Sequence, residues 1–224
     1  MTTFSFTATA NSLAVAKRIG GTLVSIPQVI YADNQHYKDD AIGVVFPIYW
    51  WSPPLMVKRF LENAEFESNY IFAVGTYGSI VGGAMASLLT YADKNSYSID
   101  YINHVQMLDN YLPAFDMEVR EKELEKRHVT ENIAEIVSDI ASRKSLKAKN
   151  HLGKRIMSAA MDGRFKPELN ARQYIVDEKC SKCGVCTKVC AANNIVVSDN
   201  VVFNDCCEGV FGLCPSLPTE CVTP

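Results

Sequence analysis

TFSFTATANSLAVAKRIGG, residues 3–21, carries the pattern on which the reading of this chain turns. TFSFTA (3–8) reads as a strand and SLAVAKRIGG (12–21) as a helix closed by glycine. Between them, TATANS (7–12) is a short run of small and hydroxyl-bearing residues. The alternation continues downstream. GTLVSIPQVI (21–30) is strand-like, and AIGVVFPIYW (41–50) is a continuous apolar run, the mark of a strand buried on both faces. PPLMVKRFLENA (53–64) opens on prolines, as helix starts do, and continues with helical spacing. YIFAVGTYG (70–78) is another buried strand ending in a glycine-rich loop; GGAMASLLTYADK (82–94) is helical, and SIDYINHVQM (98–107) reads as a fifth strand. Strand and helix in alternation predict parallel βαβ units, hence an α/β fold with a doubly wound five-stranded parallel sheet.

Past the fifth strand the pattern becomes one long helix from about Glu121 to Lys144, with Val129, Ile133, Ile136, Val137 and Ile140 as its apolar stripe. The charges of REKELEKRH (120–128) read as its solvated first half. Residues 145–176 look like a connector with one short helix, HLGKRIMSAAM, and a small cysteine domain begins near Asp177. The expected division is therefore 1–146, 147–176 and 177–224.

The 224 residues are 48% hydrophobic and 21% charged with a net charge of −3, which suits a globular protein with a real core and argues against nucleic acid as partner. The segment 171–224 carries 4 basic against 6 acidic residues, a slight preference for a basic docking face. MTTFSFTATA lacks the basic and long apolar regions of a signal peptide, and no apolar run is long enough to span a membrane, so the expected compartment is a reducing cytoplasm. All eight cysteines lie between 180 and 221. Without an export signal such a cluster points to metal rather than disulfides.

Open parallel sheets bind ligands outside the carboxyl ends of their strands, where the strand order switches. Three such ends stand out. TATANS combines hydroxyls with the N-terminus of a helix, which suits a phosphate held by neutral donors, since the loop has no Lys or Arg; Ser12 could equally be an ordinary N-cap. PIYWWSPP (47–54) holds both tryptophans, and GTYGSIVGG (75–83) is glycine-rich. Aromatics stack on a flat ring and glycines admit backbone N–H groups to its edge, although Trp50 and Trp51 could also be core or interface residues. His36, His104, His128 and His151 are scattered and read as surface residues; no nucleophile–base ordering is visible.

Cys180, Cys183, Cys186 and Cys190 stand in C-x2-C-x2-C-x3-C spacing, which lets three thiolates of one tight loop converge on an iron–sulfur cube. NNIVVSDNVVFND (193–205) then reads as a hairpin turning at SDN. Laid on the tail, the same template meets Cys207, Val210, Leu213 and Leu217, so three of its four ligand positions are aliphatic. Cys206, Cys214 and Cys221 lie off the template. Two readings stay open. In one, Cys214 completes the first cluster with Cys180, Cys183 and Cys186, while Cys190, Cys206, Cys207 and Cys221 hold a second. In the other there is one cluster and the tail cysteines are unligated thiols.

Residues 1–115 resemble a flavodoxin-type domain, FTATANS being similar to that family's phosphate loop. The resemblance implies that Thr7, Thr9, Asn11 and Ser12 bind the FMN phosphate, with Ala8 and Ala10 giving backbone N–H groups. Ala10 stands where the family has glycine, a costly exchange if the position needs φ > 0. Pro47, Ile48, Tyr49, Trp50 and Trp51, with Gly75, Thr76, Tyr77, Gly78, Gly82 and Gly83, stand where the family's two ring-contacting loops lie. The whole chain, MLDNYLP (107–113) included, resembles flavodoxin–ferredoxin fusion proteins of anaerobic microbes, with a small α+β ferredoxin-like cluster domain at the C-terminus. What this implies is an intracellular electron carrier linking FMN to one [4Fe–4S] cluster, or two, with ferredoxin-linked oxidoreductases as partners. The small domain is then expected to cover the flavin end of its own sheet or that of a second copy in a homodimer. Two alternatives remain at this level: a flavin-dependent reductase of a quinone, nitro compound or oxygen, and a non-redox zinc-binding or structural protein.

Overall fold

The first strand and helix of the computed structural model are β1 (Thr2–Ser5) and α1 (Asn11–Ile19), followed by β2 (Thr22–Ser25) and the single turn α2 (Ile26–Val29). The structure describes residues 1–95, 97–109, 122, 124–147, 152–162, 171, 172, 174–208, 222 and 223. Then come β3 (His36–Lys38), β4 (Ile42–Pro47), α3 (Leu55–Asn63), β5 (Glu65–Glu67), β6 (Ile71–Tyr77), α4 (Ala84–Lys94) and β7 (Tyr101–Gln106). The strands β2-β1-β4-β6-β7 form one five-stranded sheet, every pairing parallel. Counted within that sheet, the order is 2-1-3-4-5, the flavodoxin-like doubly wound arrangement, whose strand order reverses between β1 and β4.

Helices cover both faces, and register shows which. Val45, Phe72, Val74, Tyr101 and Val105 pack with Val15, Ala16 and Ile19 of α1 and with Ile133, Ile136 and Ile140 of α5 (Val129–Ala141). Phe4 lies beside Val44, on the opposite face, and its ring meets Phe60 of α3 at 4.9 Å. Both rings are fully buried, each contributing roughly 2–3 kcal/mol of transfer free energy. Gly43 is set by this packing: a Cβ there would lie 2.0 Å from the Phe72 ring.

Several boundaries depart from the sequence expectation for local reasons. The second strand stops at Ser25 because Pro27 falls in the first turn of α2, where its missing N–H is harmless. The pair β3 and β5 was not expected. It is a short parallel ladder whose polar outer residues hide the inward Tyr37 and Phe66, which join Phe4 and Phe60 in one aromatic cluster. The helix expected from 121 is regular only from Val129, because His128 takes a left-handed conformation (φ 48°) after a 3-10 turn at Glu125–Arg127. Its stripe packs as expected, and Asp139 ties it to the sheet by accepting from the Tyr101 hydroxyl. After α5 the chain runs along the outer edge of β7, exchanging backbone hydrogen bonds between Leu146 and Asp100 and Ile102.

The chain divides into two units, the described residues up to Asp162 in the first and those from Ala171 in the second. The helix α6 (Leu152–Asp162) packs on α4 within the first unit. In the second unit β8 (Ile175–Val176) pairs with β11 (Val222–Thr223), and the expected hairpin forms from β9 (Ile195–Val197) and β10 (Val201–Phe203), both pairs antiparallel. The short helix α7 (Val185–Val189) precedes the hairpin. Its core gathers Ala171, Tyr174, Cys186, Ile195 and Cys207, with Tyr174 stacked on Phe203 at 5.2 Å. Among the described residues no helix is long and apolar enough to cross a membrane.

Candidate functional site

Three loops leave the carboxyl ends of β1, β4 and β6 side by side, at and next to the switch point. In the first, Thr7, Ala8 and Thr9 are half-buried and Ala10 is exposed. Among the described residues no backbone carbonyl accepts from the N–H groups of Ala8, Thr9 and Ala10; those of Asn11 and Ser12 open the helix, where intrahelical acceptors are lacking. Two of the residues expected to meet phosphate through side chains are engaged elsewhere. Asn11 donates its amide N–H to the Leu108 carbonyl (2.9 Å), and the fully buried Ser12 hydroxyl is 2.8 Å from that of Thr76. Asn11 and Ser12 thus anchor the loop to the segment after β7 and to β6. What remains for a ligand is the row of backbone donors, with the half-buried Thr7 and Thr9.

Ala10 caps α1 in the left-handed region, at φ 70°. That conformation costs a residue with a Cβ about 1–2 kcal/mol, and glycine nothing. Ala10→Gly is therefore expected to raise stability by about 1 kcal/mol, read as a higher denaturant midpoint at unchanged slope. An unchanged or lower midpoint would contradict the strain.

The second loop is a tight turn. Tyr49 and Ser52 exchange both backbone hydrogen bonds (3.0 and 2.9 Å), so Trp50 and Trp51 occupy its two central positions. Their φ angles are 49° and 65°, the signature of a type I′ turn, which ordinarily takes Asn-Gly. Two tryptophans there hold strain of about 1–2 kcal/mol each. The turn is held from three sides. Ile48 N–H donates to the Thr76 carbonyl (2.7 Å), the buried Ser52 hydroxyl meets that of Ser158 on α6 (2.8 Å), and Gly82 lies against Trp51. Trp50 itself is 57% exposed.

The third loop continues β6. Thr76 joins all three loops, its hydroxyl on Ser12 and its carbonyl on Ile48. The Gly78 carbonyl accepts from Gln106 Nε2 (2.8 Å) and Arg127 Nη1 (3.2 Å). Ser79 donates to Asp109 Oδ2 (2.6 Å). Gly75 is closed in by Ile48 and Met85, and a Cβ at Gly83 would lie 2.1 Å from the Lys154 carbonyl of α6. Of the expected residues, Pro47 ends β4, Gly75, Thr76 and Tyr77 end β6, and Ile48 to Trp51, Gly78, Gly82 and Gly83 lie on the interlocked loops, with no Lys or Arg among residues 7–12, 47–54 and 75–83. Neutral N–H and hydroxyl donors beside an exposed indole fit a phosphate with an attached aromatic ring. Sequence reading missed Leu108, Ser158, Gln106, Arg127 and Asp109 as site residues; they hold the loops from β7, the segment after it, the 3-10 turn and α6. The positive φ of the Trp-Trp turn was equally invisible. His36, His104 and His128 are exposed, as expected, and His151 lies outside the described residues.

In the second unit none of Cys180, Cys183, Cys186, Cys190, Cys206 and Cys207 is in a disulfide. Cys186 is buried in the core, with Cys190 packed beside it. Burial pushes the Cys186 thiol above its ordinary value, and the nearby Cys180 and Cys183 add to the effect. The Val185 backbone N–H, helped by the Ser181 hydroxyl, holds the exposed Cys183 thiol below its ordinary value. Asn194 N–H donates to Cys190 Sγ at 3.3 Å. Cys206 is exposed and its neighbour Cys207 buried, so the adjacent pair diverges. Among the described residues no three His, Cys, Asp or Glu side chains converge as a metal-holding group. Soft thiols at this spacing nonetheless fit an iron–sulfur centre chemically. Cys214 and Cys221, expected as further ligands, lie outside the described residues.

No protein-family profile and no curated protein sequence matches the chain. Solved structures do. One described as a flavoprotein, from Bacteroides uniformis ATCC 8492, is similar at 14% identity over 56% of this chain and 96% of its own, with a TM-score of 0.37. A second so described, from Bacteroides eggerthii DSM 20697, has 15% identity over 57% and 97%, TM-score 0.31. An NAD(P)H:quinone oxidoreductase from Methanothermobacter marburgensis has 11% identity over 56% and 90%, TM-score 0.28.

Proposed function

We propose that this chain is an electron-transfer protein that holds FMN on the three loops of its first unit and an iron–sulfur cluster on the thiols of its second. The observation that carries the flavin reading is the strained Trp50–Trp51 turn at the switch point. Strain of that kind persists only where surrounding contacts over-determine it, and such places cluster at ligand sites. FMN would supply the redox chemistry, passing electrons between two-electron and one-electron partners. The chain's own residues do the holding: backbone N–H groups of residues 8–12 with Thr7 and Thr9 take the phosphate, Trp50 and Tyr49 border the ring, and the Gly78 segment meets its edge. Ser12 and Thr76 fix the loops against one another. Cys180, Cys183, Cys186 and one further thiol, Cys190 or Cys214, are the ligands for a [4Fe–4S] cluster. The remaining tail cysteines are candidates for a second. Ferredoxin-linked oxidoreductases of a reducing cytoplasm are the proposed partners.

The exposed indole of Trp50 favours a second reading, in which a quinone or another small oxidant reaches the flavin directly and the protein is a reductase. Anaerobic purification with flavin, iron and sulfide quantified per chain tests both. The carrier reading expects one FMN and about four irons, or about eight if two clusters form. Absence of flavin overturns the N-terminal reading, and stoichiometric zinc without sulfide overturns the cluster. Rapid steady-state turnover of a quinone would move the function to the reductase.

A further inference from the structure

The third loop is gripped by two residues of opposite charge that lie outside all three loops. Arg127 comes from the 3-10 turn ahead of α5. Its Nη1 lies 3.2 Å from the Gly78 carbonyl and also donates to the Met107 carbonyl, so the guanidinium bridges the carboxyl ends of β6 and β7. His128, in its left-handed conformation, ends that turn and lets the chain swing into α5, leaving Arg127 over the strand ends rather than on the solvated helix face that sequence suggests. Asp109 approaches the same glycine from the other strand's continuation. A Cβ at Gly78 would lie 2.2–2.4 Å from its carboxyl end, and the carboxylate accepts from Ser79. No Lys or Arg belongs to the loops themselves.

We propose that Arg127 and Asp109, which hold Gly78 from opposite signs of charge, set the reduction potential of the flavin bound at this site. The inference rests on the flavin reading above. Reduction adds negative charge to the ring, so a cation beside its edge favours the reduced form and a carboxylate disfavours it. The two residues act through the field and through the position of Gly78; they are tuning residues, not catalytic ones.

The test is a spectroelectrochemical titration of the flavin in the full-length holoprotein, after flavin content is assayed for every variant. Arg127→Gln is expected to lower the midpoint potential and Asp109→Asn to raise it. Each change is at least tenfold in the equilibrium constant of the couple, about 30 mV for two electrons. Arg127→Lys, which keeps the charge while losing the fork, should return most of the native potential. A purely structural role predicts the same direction for both neutralised variants and no rescue by lysine, so either outcome overturns the proposal. Native potentials in both variants overturn it too. If the native protein holds no flavin, the flavin reading fails instead, and the two failures are told apart by the assay that precedes the titration. Should Arg127→Gln not fold, Asp109→Asn decides alone: an unchanged or lowered potential in it overturns the proposal.

Discussion

On the proposed reading, Cys186→Ala is expected to strip the iron from the second unit and loosen that unit at the same time. The side chain is buried in α7 and packs with Ala171, Tyr174, Ile195 and Cys207, so the substitution removes a proposed ligand and a core contact together. Metal binding to such a small unit is part of its folding free energy, so loss of the cluster is also loss of order. Cys183 separates the two effects, because its thiol is exposed and outside the core. Cys183→Ala should release the same iron while costing the iron-free protein little. Iron and sulfide assays read the first effect, and limited proteolysis of the iron-free proteins reads the second. Retention of native iron by Cys186→Ala would remove this thiol from the ligand set.

On the proposed reading, Gly82→Ala is expected to weaken FMN binding by a hundredfold or more, about 2.7 kcal/mol. Gly82 has φ 58°, which alone costs alanine about 1–2 kcal/mol. The new methyl would also sit 2.2 Å from the Trp51 Cβ and 3.1 Å from its Cα. Neither atom is the end of a flexible chain, so the turn itself has to move, and Trp50 moves with it. Gly153→Ala serves as control: its Cβ meets nothing within 4 Å and it gains helix propensity on α6. Fluorescence titration of the flavin-free protein with FMN measures both. Native affinity in Gly82→Ala would show that the Trp turn plays no part in binding.

The βαβ frame was readable because its signals are long and apolar: residues 41–50 and 70–78 could hardly be anything but buried strands. The loops at their ends were readable by composition and place. What was not readable is who holds the loops. Asn11 and Ser12 look like phosphate ligands in sequence, yet their partners, Leu108 and Thr76, lie 97 and 64 residues away. Arg127 sits in a charge run that any helical reading assigns to solvent. His128 has no sequence mark of a left-handed residue, and the same holds for the two tryptophans. The pair β3 and β5 escaped because three-residue strands with one inward aromatic carry too short a period to register.

The Ser12–Thr76 contact bears on the state before any ligand arrives. Each hydroxyl satisfies the other within the core, so emptying the site strands neither of them without a partner. The junction between the first and third loops is therefore finished when the chain finishes folding, and the proposed ligand would meet those two loops already joined. Release and recapture of that ligand would then ask for no ordering at this junction.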